Sequence, residues 1–69
     1  MTHMMKASEK SLTYEGDVKD ALNLVNQIRY AFNIAAMDMP KMLNDFVFNI
    51  EAQLQREGIL DEDFNEVTT

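Results

Sequence analysis

The chain has no cysteine, no tryptophan, one proline, two glycines and a single histidine in 69 residues. Without cysteine there is no disulfide framework, no thiolate zinc site and no cysteine nucleophile. The lone histidine, His3, sits at the extreme N-terminus, so no Glu-x-x-His pair of the di-iron type exists. A Xaa-Xaa-His start binds copper(II) through its amine and imidazole, but removal of Met1 before the small Thr2 would shift that register. General-base and metal roles would therefore rest on carboxylates alone. No apolar run approaches the ~20 residues of a membrane span, and no signal-peptide hydrophobic region follows Met1. Bases are scarce too: 6 Lys and Arg stand against 12 Asp and Glu, for a formal net charge of −6. What remains is a chain 46% hydrophobic, too apolar for full disorder and long enough for one small domain. The expectation is a cytoplasmic, non-enzymatic protein with no cofactor, no metal and no membrane contact.

The imbalance of charge is local. Residues 1–16 sum to zero and residues 17–50 to −1, whereas residues 51–69 hold six acids against Arg56. Residues 1–10 show neither helical nor strand period and are expected to be a mobile leader, derived in part from a tag through the pair His3-Met4. Ser11–Glu15 alternates polar and apolar and reads as an extended arm laying Leu12 and Tyr14 on the domain, which spans 11–60. Residues 61–69 form an acidic C-terminal tail with a short turn, where Leu60, Phe64 and Val67 are the apolar anchors.

Between arm and tail lie two helices. Asp17 offers a cap and Asp20 adds charge favourable to the helix N-terminus. Val18, Leu22, Val25, Ile28 and Phe32 then recur at intervals of three and four. Met39 precedes Pro40 and avoids helical geometry, so the first helix is expected over about 17–37. Pro40 suits the opening of a second, over about 40–57, with Leu43, Phe46, Val47, Ile50 and Leu54 on one stripe. Gly58 ends it in a left-handed conformation, with Ile59 folding back towards Leu54. The fold class expected is therefore all-α, a two-helix hairpin.

A hairpin alone falls short. The apolar arc of the first helix, widened by Leu24, Ala31 and Ala35, covers roughly 180°. A surface helix ordinarily buries about 100°. Two small helices also bury too little area to offset chain entropy. A homodimer of hairpins forming a four-helix bundle meets both needs and is preferred, with the ten stripe residues from Val18 to Leu54 as its core; the alternative is that the N-terminal arm covers the extra face within a monomer.

Four features suggest binding. Arg29 falls between Val18 and Leu22 on the helical wheel. It is either a boundary residue reaching Asp45 or Glu51, or an anchor for a partner's carboxylate or phosphate. Phe48 points away from the second helix's apolar stripe and implies a further contact. Glu51, Asp61, Glu62, Asp63 and Glu66 form an acidic end that keeps a small protein soluble or meets a basic groove. Met37, Met39 and Met42 cluster at the turn; three thioethers bind copper(I), yet gap-filling is their ordinary role.

The order arm, helix, turn, helix resembles that of ribbon–helix–helix DNA-binding dimers, with Ser11, Thr13 and Glu15 on one face of the ribbon. That resemblance implies a nucleic-acid-binding dimer. The net charge, the scatter of the six cations and Glu15 on the ribbon all oppose phosphate binding, and no residue role is carried over. The outline is equally similar to plasmid copy-control RNA-binding bundles, without a shared motif. The reading favoured by the residues is an acidic protein–protein interaction module, a regulator or inhibitor whose partner is basic or itself binds nucleic acid.

Overall fold

The structure, a computed structural model, describes residues 4–67. His3 and the last two residues of the acidic tail lie outside the described residues. The chain runs β1 (Met4–Glu9), β2 (Leu12–Asp17), α1 (Val18–Ala35) and α2 (Lys41–Arg56). The fold is thus mixed α/β, β-β-α-α, and the all-α hairpin and its four-helix bundle are corrected. Met4–Glu9 lies in the segment expected to be a mobile leader, and the expected arm is its partner strand.

The two strands pair antiparallel, with Met5 opposite Gly16, Ala7 opposite Tyr14 and Glu9 opposite Leu12. Paired residues share a face of a sheet, and alternate residues point to opposite faces. Met5 and Ala7 are accordingly buried, while Lys6 and Ser8 are exposed. The connection is Lys10-Ser11, with Lys10 at φ 54°, a conformation that two-residue hairpin turns require. Tyr14 folds over Gly16, where an added Cβ would stand 2.8 Å from the phenol oxygen. Its hydroxyl donates to the Asp17 carbonyl at 2.7 Å. Burial first, then the charges of Asp20 and Asp17, raises the phenol's pKa above its ordinary 10.0.

Asp17 leaves the sheet and caps α1, its carboxylate accepting from the Lys19 N–H at 2.6 Å. α1 stops at Ala35, short of the expected 37, because Ala36 turns left-handed at φ 55°. The Met37 N–H then reaches the Phe32 carbonyl at 3.1 Å, and the Ala36 N–H the Asn33 carbonyl at 3.2 Å, a Schellman closure. An L-residue in that conformation costs about 1–2 kcal/mol. Glycine would remove the cost but regain about 0.4–1 kcal/mol of unfolded-state freedom. Ala36→Gly should therefore raise the melting temperature by about 2–6 °C, and Ala36→Val should lower it. A glycine variant that melts earlier would show that the cap is unstrained.

Pro40 stands just outside α2 and accepts from the Asn44 N–H at 2.9 Å. At the other end Gly58, at φ 81°, lets the Ile59 N–H return to the Leu54 carbonyl at 3.0 Å. The buried core joins Met5 and Ala7 of β1, Val18, Ala21 and Val25 of α1, Phe46, Val47, Ile50 and Leu54 of α2, and Leu60. Leu22, Ile28 and Leu43, expected at the centre, are half-buried and pack against it. Phe32 is half-buried and lies outside this cluster. The sheet thus covers part of the apolar width that the helices leave open.

Candidate docking surfaces

After α2 the chain folds back on itself. Leu60 is buried and bridges Glu66 as an antiparallel pair, and the Val67 N–H donates to the Ile59 carbonyl at 3.0 Å. One Asp61 carboxylate oxygen accepts from the amides of Asp63 at 2.9 Å and Asn65 at 3.0 Å. The Gln55 side-chain amide ties the Asp61 carbonyl to α2 at 3.0 Å. An aspartate accepting from amides a few residues on is a common way to hold a tight turn. Here it holds the turn on which Glu62, Asp63 and Glu66 are exposed.

The turn also delivers Phe64, at φ 63°, onto Phe48. Their ring centroids are 5.9 Å apart with planes tilted by 54°, a favourable edge-to-face range. The contact does not hide them: Phe48 is 56% and Phe64 37% exposed. Phe48 and the acidic end, two separate features in the sequence, are therefore one surface. Phe64 is the member that sequence reasoning missed as a site residue. Its signal was its place as an apolar anchor in an otherwise acidic turn.

Arg29 and Glu51 face each other. The guanidinium Nε donates to Oε2 at 2.9 Å and Nη2 to Oε1 at 2.6 Å, the two-pronged geometry arginine favours with carboxylates. Glu51 is only 7% exposed, whereas half of the arginine side chain meets solvent. The hydrogen bond to Glu51 pushes the guanidinium's pKa above its ordinary value, against the opposing effect of burial. Two of the candidate partner-binding groups thus neutralise each other inside the fold. Asp45, the other carboxylate considered for Arg29, takes Lys41 at 2.8 Å.

The three clustered methionines diverge: Met37 is exposed, and Met39 and Met42 are half-buried. Among the described residues, no group of three or more His, Cys, Asp or Glu is placed to hold a metal ion. No helix among the described residues is long and apolar enough to cross a membrane. The outer sheet face carries a shallow depression between Met4 and Met5, lined also by Lys6 and Glu15, whose charges stand 3.9 Å apart.

No family model, curated protein or solved structure matches the chain. The reading of function therefore rests on these surfaces.

Proposed function

We propose that this is a small cytoplasmic, non-enzymatic interaction module that binds another protein through the Phe48–Phe64 surface. It acts as a regulator or inhibitor of a partner with a basic, nucleic-acid-binding face. The observation that carries the reading is the part-exposed Phe48–Phe64 pair, which joins α2 to the acidic turn that Asp61 closes. Interface energy concentrates in aromatic anchors enclosed by a polar rim. Like-signed charges around such an anchor steer an oppositely charged partner and select against acidic ones. The alternative, a nucleic-acid-binding dimer, has less support, because Lys6, Arg29 and Lys41 each face a carboxylate.

The test is a pull-down from source-cell lysate at low and high salt, followed by titration of the purified partner. Phe48→Ala should weaken binding about 30-fold, the size of a hot-spot residue, while helicity stays unchanged. Reversing Glu62 and Glu66 to lysine should slow association and flatten its salt dependence. A partner that binds all these variants like the wild type would remove this surface from the function. Nucleic acid alone on the beads would put the alternative first.

A further inference from the structure

α1 bears a second face whose C-terminal half, Ala31, Ile34 and Ala35, stays exposed, while Leu24 and Ile28 at its border pack partly against the core. Its buried positions are Val18, Ala21 and Val25, and none follows in the second half of the helix. Ile28 and Phe32 are half-buried, and Ala31, Ile34, Ala35 and the following Met37 are exposed. Ile34 and Met37 show 64% and 62% of their surface. Alongside the inward row, Leu24, Ile28, Ala31 and Ala35 recur at spacings of four, three and four, as at a helix–helix seam.

The charge distribution sets this face apart. In a chain that is 26% charged, residues 21–37 contain one charged side chain, Arg29, and it is bound to Glu51. The other exposed polar side chains among them are the amides Asn23, Asn26, Gln27 and Asn33 and the phenol of Tyr30, all uncharged.

We propose that a second copy of this chain docks here, α1 against α1, about a two-fold axis. Two copies carrying −6 each repel unless they meet where charge is lacking, and any charge near the axis of such an interface would meet its own like. A basic partner would be drawn instead to the carboxylates of the C-terminal turn. The cores of homodimer interfaces are likewise depleted of charge. Ala31 and Ala35 let the helices approach closely, and Leu24, Ile28 and Ile34 supply the flanking bulk. From Leu24 to Ala35 the strip runs about 17 Å, at 1.5 Å per residue.

Sedimentation equilibrium of the full chain tests this. The wild type should sediment at twice the chain mass of 8.0 kDa in the micromolar range. Ile34→Lys and Ala31→Glu should each raise the dissociation constant at least tenfold with unchanged circular dichroism, since both positions are exposed. Phe48→Ala should leave the dimer intact, which separates this face from the partner surface. Because the chain has no cysteine, single-cysteine variants give a second measurement. Under mild oxidation Ala31→Cys should trap a covalent dimer, and Thr13→Cys, on the outer sheet face, should not. A chain that stays at 8.0 kDa throughout that range would overturn the proposal. So would a dimer indifferent to both charge substitutions, or one trapped through Thr13→Cys and not through Ala31→Cys.

Discussion

Deleting residues 1–10 is expected to leave helical content without a cooperative unfolding transition. A domain of this size is held by about 3–10 kcal/mol in total, at 0.05–0.15 kcal/mol per residue. The deletion removes Met5 and Ala7, which are 8% and 2% exposed in the core. It also strips β2 of its paired strand and uncovers the part of α2 on which β1 lies. Re-exposing each large buried side chain costs about 1.5–3 kcal/mol, and two helices alone fall near zero on the balance of burial against chain entropy. Ala7→Asp asks the same question at full length. It places a carboxylate opposite Tyr14 on the buried sheet face, at an expected cost above about 3 kcal/mol. Urea denaturation followed by circular dichroism reads both. A transition midpoint unchanged in each would return these residues to the status of a leader outside the fold.

The helices are legible because every local signal agrees with the global fold: period, Asp17 as cap, Pro40 as stop and start, Gly58 as terminus. β1 is not. Its sequence, Met-Met-Lys-Ala-Ser-Glu, lacks the β-branched and aromatic residues that fit a pleated surface, and only Met5 and Ala7 of it are buried. The turn at Lys10-Ser11 also lacks the glycine or asparagine that announces a tight hairpin. What makes this segment a strand is the apolar width of the helices beside it, a tertiary demand that no local window contains. That width is visible in the sequence, and of the two covers it allows, a second chain or the N-terminal arm, the protein's own sheet supplies part.

The surface was legible in pieces. Helical geometry singles out Phe48 from its neighbours, and composition singles out the acidic end. Their union depends on Phe64 arriving from a turn closed by Asp61, and such a turn is governed by hydrogen bonds rather than by hydrophobic period. Arg29 shows the same limit from the other side. The wheel places it at the edge of the apolar arc, yet its partner lies 22 residues away on another helix, and the relative offset of two helices is not written in either one.

Arg29→Ala should destabilise the protein more than the double replacement Arg29→Met/Glu51→Leu. Removing the arginine leaves a carboxylate that is 7% exposed without its two hydrogen bonds, and an uncompensated buried charge is the costly state. Because the arginine side chain is 47% exposed, water screens part of the pair, and the expected loss is about 2 kcal/mol rather than the 3–5 kcal/mol of a fully buried pair. Replacing both groups by apolar ones removes the desolvation penalty together with the attraction, so the double variant should fall within about 1 kcal/mol of the wild type. Arg29→Lys should lie between, since an ammonium cannot match both carboxylate oxygens at once. A double-mutant cycle by chemical denaturation isolates the coupling. Equal losses in the single and double variants would mean that Glu51 finds water or another donor when Arg29 is absent. The cycle also bears on function: if Arg29 acts only through Glu51, Arg29→Ala should weaken partner binding no further than its folded fraction explains. A larger loss of affinity in the fully folded double variant would return Arg29 to the binding surface.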